Sequence, residues 1–324
     1  MKRPPRLPTR NSATVAALLV AALFIGSGCD DSVNVILESD RKITMFATLD
    51  MNSDVQYVRV IPIRGTIDEA IVPGAYSLRS IDLDNGRTVV WEDSLITFDN
   101  GSEGLVFYAN LRVQPGHSYR IEASGGDSDL ITSAVTNVPP IPTPSIGAET
   151  ASRTIGPSGF ILEGRQTIVW HGLQREPLEI SHWYRFLRTP ESPYRDVRMR
   201  NTPSTFQGGD LTVTLDLAGD RFAIADSVEI ARNAFVGIGM SITVLNAEFV
   251  PPGGVFDPEI LVQPGTFSNV ENGFGFIGTV GRFSTEWVLN EENVRTLGYL
   301  TVEDAFGKAG QRLIPGRQQT ADRR

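Results

Sequence analysis

The sequence predicts an all-β protein, with an N-terminal immunoglobulin-like β-sandwich followed by a second, less regular β-rich domain. Three observations carry this reading. From Lys42 to Thr136 apolar and polar residues alternate, the pattern of strands that show successive side chains to opposite faces. Turn signals break the alternation at intervals of about ten residues, the spacing of short sandwich strands. No stretch of that span has convincing helical periodicity.

Ile43 to Leu49 is the first expected strand, and Met51-Asn52-Ser53-Asp54 turns the chain into Val55 to Ile61, which stops at Pro62. Pro73-Gly74 opens the strand Ala75 to Leu83. Asp84-Asn85-Gly86 then reads as a hairpin turn, because Asn-Gly tolerates positive φ. Thr88 to Trp91 follows, and Asp99-Asn100-Gly101 is a second such turn before Leu105 to Tyr108. Ser118 to Ala123 and Ile131 to Asn137 close a set of about eight strands.

Val138-Pro139-Pro140-Ile141-Pro142-Thr143-Pro144 reads as a semi-rigid spacer. A linker over 138–146 is therefore expected to separate a sandwich at 42–137 from a second β-rich domain at 147–314, as independent folding units. In the second domain the expected strands are Thr167 to Trp170, Ser181 to Leu187, Leu211 to Leu217, Ser227 to Ala231, Met240 to Phe249 and Gly273 to Thr279. Pro251 to Gly254 and Gln263 to Gly265 are loops. A single short helix is expected from Glu291 to Leu297, with Asn290 as its cap and acidic residues in its first turn. Residues 315–324 form a polar, frayed tail.

The chain has 324 residues, 41% of them hydrophobic, enough for about two domains with real cores. Its N-terminus has a different character. Lys2, Arg3, Arg6 and Arg10 precede an uncharged run from Ala13 to Ile25, and Gly26-Ser27-Gly28 leads into Cys29, the sole cysteine. A basic head, a short apolar body and small residues are the parts of a secretory signal peptide, here 1–28. The run is short of the ~20 residues that span a bilayer as a helix. The segment resembles a bacterial lipoprotein signal, in which the cysteine is lipidated and becomes the new N-terminus. Gly26 stands where most such signals carry an aliphatic residue. The resemblance makes Cys29 the lipidation site and gives an odd cysteine a role that a disulfide cannot. Acyl chains there would hold the protein at a membrane, followed by an acidic tether at 29–41.

Loss of the four basic residues before Cys29 takes the formal net charge from −9 to −13. So acidic a chain excludes nucleic acid as a partner, since phosphate binding needs clustered Lys and Arg. Asp30 and Asp31 point two ways. In some bacteria an Asp beside the lipidated cysteine retains a lipoprotein in the inner membrane. In Bacteroidota-like bacteria acidic residues there resemble a signal for export to the outer surface.

Three stretches of the body resemble the domain of unknown function 4249 family: Gln56-Tyr57-Val58-Arg59-Val60, Pro115 to Glu122, and Ser133 to Pro139. The segment Phe267-Ser268-Asn269-Val270-Glu271-Asn272-Gly273-Phe274-Gly275-Phe276-Ile277-Gly278 is similar to that family's most recognisable stretch. There a Ser-Asn pair leads into a glycine-rich strand, usually with glycine at the place of Asn272. The resemblance implies a lipid-anchored outer-membrane protein of the cell envelope, often encoded near TonB-dependent receptors. It implies no catalytic residues.

Each candidate for chemistry has a plainer alternative. His117 follows a Pro-Gly turn and reads as a turn residue. His171 and His182, with Glu176 and Glu179 between them, offer nitrogen and oxygen ligands, but their spacing matches no compact metal motif. Trp170 and Trp183 beside them suggest a packed hairpin instead. Glu38/Asp40, Asp82/Asp84 and Asp127/Asp129 fall in or beside turns and lack a full calcium-loop pattern. No serine sits in a Gly-x-Ser-x-Gly elbow, and Gly273 to Gly278 feeds no helix that would cradle phosphate. Trp91, Trp170, Trp183 and Trp287 read as core before carbohydrate surface. The expectation is a non-catalytic, lipid-anchored envelope protein with no cofactor and no metal site, an accessory or interaction module of an outer-membrane receptor or assembly. The alternative is a surface lipoprotein that binds a glycan or peptide.

Overall fold

The computed structural model describes residues 43–63, 72–97, 99, 103–125, 128–157, 159–199, 202–246 and 268–307. The fold is all-β, with most described residues in strands and only short helices. Eight strands fill the first half, as the alternation requires: β1 Ile43–Asp50, β2 Val55–Pro62, β3 Tyr76–Asp82, β4 Thr88–Val90, β5 Glu92–Thr97, β6 Glu103–Asn110, β7 Ser118–Gly125 and β8 Ser128–Asn137. They form two layers, β1-β2-β6-β5 and β8-β7-β3-β4. This order is compatible with an immunoglobulin-like arrangement.

Met45, Leu49, Val58, Val60, Leu105 and Phe107 on one layer pack with Leu78, Tyr119, Ile121, Ala123 and Ala134 on the other in one core. Each such side chain, fully removed from water, contributes roughly 1.5–3 kcal/mol. The chain changes layers at Trp91, which is buried and donates its indole N–H to Ser80 Oγ at 3.0 Å. At the start of β7 the buried Tyr119 hydroxyl accepts the Gln114 N–H at 3.0 Å, pinning the corner that leads into the strand.

The second half has strands β9 Thr143–Gly156, β10 Gly159–His171, β11 Glu179–Leu187, β12 Arg195–Arg198, β13 Ser204–Gln207, β14 Asp210–Asp216, β15 Ala234–Leu245, β16 Val270–Glu271 and β17 Phe274–Trp287. The described residues of this half also form three helices, α1 Leu217–Ala225, α2 Glu291–Thr296 and α3 Val302–Phe306, and a 3-10 turn at Ile230–Arg232. The layers β12-β11-β15-β17 and β13-β14-β10-β9 contribute Tyr184, Phe186, Met240 and Ile242, and Ile168, Trp170, Leu211 and Val213, to a second core.

The expectation of two units joined by a linker is corrected here. β17 pairs parallel with β1 from Phe274 to Val280 and antiparallel with β15 from Val280 to Trp287. The two halves therefore share one eight-stranded sheet, and Phe283 packs against both cores. The proline run is not a spacer either. Val138 is buried and exchanges backbone hydrogen bonds with the 116–117 turn, and β9 begins at Thr143 with Pro144 opposite Trp170. Near the start of an edge strand a proline's missing N–H is tolerated, so prolines do not by themselves mark a domain boundary.

The helix at Glu291–Thr296 stands as expected, with the Asn290 side chain accepting the Asn293 N–H at 2.8 Å. It is not the single helix. Leu217–Ala225, expected in part as strand, is a helix capped by Asp216, whose side chain accepts the Gly219 N–H. The expected strand Ser227 to Ala231 is a turn, in which Ile224 O accepts from both Ser227 N and Val228 N, leading into the 3-10 turn. The expected strand from Met240 ends at Leu245, and its last residues, 247–249, lie outside the described residues.

Phe274 and Phe276 share the outer face of β17, while Gly275 and Ile277 face the first core. Gly275 has φ of +106°, and a Cβ there would lie 2.0 Å from the Met45 carbonyl oxygen of β1. Gly275→Ala should therefore destabilise the protein by about 1–3 kcal/mol. A thermal melt is the check, and an unchanged midpoint would contradict the close parallel approach.

Candidate functional site

Two clusters of polar side chains stand out, and each contains a histidine that the sequence singles out. The first lies at one end of the first sandwich. The Asp84-Asn85-Gly86 turn follows β3, and Gly86 takes the φ of +75° that the turn needs. It brings Asp82 and Asp84 to His117, their candidate ligand atoms all within 4.8 Å of one another. Asp82 accepts from His117 Nδ1 at 2.9 Å, from the Asp84 N–H at 3.0 Å and from Asn85 Nδ2 at 2.8 Å. Asp84 accepts the Ser118 N–H at 2.7 Å. Burial opposes the ionised form of Asp82. The hydrogen bonds from His117 and Asp84, with the charge of His117, outweigh it and hold the carboxyl below the usual range. Both carboxylates thus close a turn across the β3 and β7 ends, and the turn reading of His117 accounts for its geometry.

The second cluster was not read from sequence. On β11, His182 and Tyr184 are two residues apart and point into the second core, where α1 supplies Asp220. Asp220 Oδ2 lies 3.0 Å from His182 Nε2 and accepts the Tyr184 hydroxyl at 2.7 Å. The other ring nitrogen, Nδ1, lies 2.9 Å from Thr202 Oγ1. Burial first, then the charge of Asp220 and the hydrogen bond to it, push the Tyr184 phenol well above its ordinary range, so it remains a donor. The Tyr299 hydroxyl is buried without a hydrogen-bond partner, and burial likewise raises it, with Arg221 and Asp220 as its charged surroundings. A His-x-Tyr pair on a strand was the available signal, since both must share a face. Asp220 reads only as an acid in a helix's first turn.

His171, Glu176, Glu179 and His182, weighed above as ligands, differ in their surroundings. His182 is 1% exposed, while His171 is exposed and pairs with Asp210 at 3.0 Å, and both glutamates are exposed. Trp91 and Trp170 are core residues, and the indole of Trp170 points at Met240 Sδ, 3.3 Å away. Trp183 and Trp287 are half-buried, on opposite faces of the shared sheet. Trp287 donates to Gln166 Oε1 at 2.7 Å, and Trp183 lies over Gly239, where a Cβ would clash with its ring. Cys29, Glu38, Asp40 and Asp127 lie outside the described residues, as does the side chain of Asp129.

The segment from Ser268 to Gly278 is built as a joint. Asn269 accepts the Ile277 N–H at 2.9 Å and donates to the Ile277 carbonyl at 2.8 Å. Asn246 does the same for Thr279 with its side-chain oxygen and its backbone N–H. Asn272 has a left-handed φ of 54°, and Thr132 Oγ1 donates to its carbonyl.

No protein-family profile and no curated protein matches the chain.

The depressed Asp82 sets a pH dependence. A folded-state pKa below the unfolded value contributes stability that is complete above about pH 4 and is lost as pH falls through the folded value. Acid titration of the melting temperature should therefore show a steeper fall below pH 4 in the parent than in Asp82→Asn. Parallel curves would contradict this role of Asp82.

Proposed function

We propose that the protein is a lipid-anchored component of the bacterial cell envelope, without catalytic activity, that serves as an accessory or interaction module of an outer-membrane receptor or assembly. The observation that carries the reading is Cys29, placed directly after an apolar run and three small residues. The polar residues Asp30, Asp31, Ser32 and Asn34 that follow it in the sequence read as its tether. The body's two buried or partly buried histidine clusters support a structural role. Both ring nitrogens of His182 are engaged inside the core, and Asp82 accepts from Asp84 and Asn85 of its own turn and from His117 across it. The left-handed Asn272 supports the family resemblance, since glycine is usual there and tolerates that φ freely.

A second reading, binding of a glycan or peptide, has one observation in its favour. Tyr57 and Tyr108 are directly paired on the outer face of the first layer, with Phe46 opposite Arg59 beside them. Tyr57 is 60% and Phe46 45% exposed, an arrangement of aromatic faces on which a sugar ring can stack.

Cys29→Ala should shift the protein from the membrane to the aqueous fraction while leaving its thermal midpoint unchanged. Equal membrane retention of variant and parent would overturn lipid anchorage. For the second reading, Tyr57→Ala should abolish retention on a glycan array without altering the melt. An array with no hit for the parent protein would dispose of a glycan ligand.

A further inference from the structure

The β9–β10 hairpin outruns its sheet. β14 pairs with β10 only from Arg165 to Trp170, whereas β9 and β10 remain paired out to Gly156 and Gly159. Leu162 still packs on the second core, and space at Gly164 is bounded by Leu297 and Leu217. Beyond them the ribbon carries bulky apolar side chains in water: Ile155 is 83%, Phe160 66% and Ile161 45% exposed. Ile155 and Phe160 are directly paired and share one face, and Ile161, opposite Thr154, stands on the other. From Thr150 to Leu162 the only charged residue is Arg153, whose guanidinium lies 4.1 Å over the Phe160 ring. In a chain of net charge −9 this tip is apolar and cationic.

We propose that this tip is a membrane-contact element, which inserts Ile155, Phe160 and Ile161 into the interfacial zone of a lipid bilayer and sets Arg153 among anionic headgroups. Three features select a lipid surface. Apolar groups on both faces of a narrow ribbon are desolvated together only by a medium that surrounds the tip, whereas a flat protein surface covers one face. The lone charge has the sign that anionic headgroups attract. Among the described residues no third strand flanks the ribbon beyond Arg165, so its open backbone edges limit entry to the hydrated interface and exclude the hydrocarbon centre. The contact would give the anchored protein a second point of attachment to the membrane. The proposal rests on the membrane anchorage proposed above.

The test uses the full chain, processed in bacterial cells and reconstituted into phosphatidylethanolamine–phosphatidylglycerol vesicles with brominated acyl chains. A thiol-reactive fluorophore is placed at Thr154→Cys and, for reference, at Val90→Cys, which is 73% exposed on the other half. Quenching by bromolipid should be strong at position 154 and weak at position 90. Replacing both Ile155 and Phe160 by Asp should reduce quenching at 154 about tenfold or more, since each buried apolar side chain is worth at least that in partition. Both side chains are exposed, so the double variant should melt as the parent does. Anchorage is read separately: a parent chain that takes up dye carries an unmodified Cys29, which removes the anchor without deciding the tip. Equal quenching at both positions, or quenching at 154 that survives the double substitution, overturns the proposal. So does a label at 154 shielded from aqueous iodide but not quenched by bromolipid, which would assign the tip to a protein partner.

Discussion

The fold depends on the parallel pairing of β1 with β17. A parallel neighbour cannot be reached by a tight turn, and here the connection is nearly the whole body, from Thr44 to its partner Phe274. β17 is longer than either neighbour, so parts of its ladder would face no strand. Asparagine side chains supply what is missing. Asn269 and Asn246 complete it where β15 is absent, at Ile277 and Thr279, and Asn52 completes it just beyond β1 by exchanging two hydrogen bonds with Arg282. An amide carries one acceptor and two donors on one plane, which makes it a substitute for a peptide group in a strand. Buried backbone groups left unpaired would cost a few kcal/mol each.

This accounts for the segment from Ser268 to Gly278. Its residues are specified by backbone proximity and by ladder completion: Asn269 for its amide, Asn272 for its left-handed φ, Gly275 for its approach to Met45. The composition of this segment is thus set by its place, where the two halves are fastened.

How much of this was legible follows from the range of each determinant. The strands of the first half follow from alternation and Asn-Gly chemistry, which are local, and seven of the eight fall where they were expected; β5 Glu92–Thr97 is the one that the alternation did not mark. The α2 cap at Asn290 is local too. Helix α1 was misread because Leu217 to Ala225 is short and contains Gly219, and its cap, Asp216, doubles as the last residue of a strand. Ser227 to Ala231 alternates like a strand, yet Val228 is buried as the helix's continuation. The proline run was misread because sequence does not show that β9 is an edge strand. In the Asp220–His182–Tyr184 cluster the His-x-Tyr pair is local to one strand, but Asp220 comes from a helix more than thirty residues on, and no sequence pattern joins it to them.

The β1–β17 pairing also has a kinetic consequence. A chain emerges N-terminus first, and domains tend to fold in that order. β1 and β2 can form their hairpin at once, but the other edge of β1 stays open until a partner some 230 residues later arrives, as the Asn52–Arg282 separation of 230 shows. Contacts this distant slow folding. In the interval the nascent molecule presents an unpaired strand with Phe46 exposed beside it, the kind of edge that recruits foreign strands. Synthesis that stalls before Phe274 would therefore leave an adhesive fragment, and the sheet is closed only once β17 has emerged.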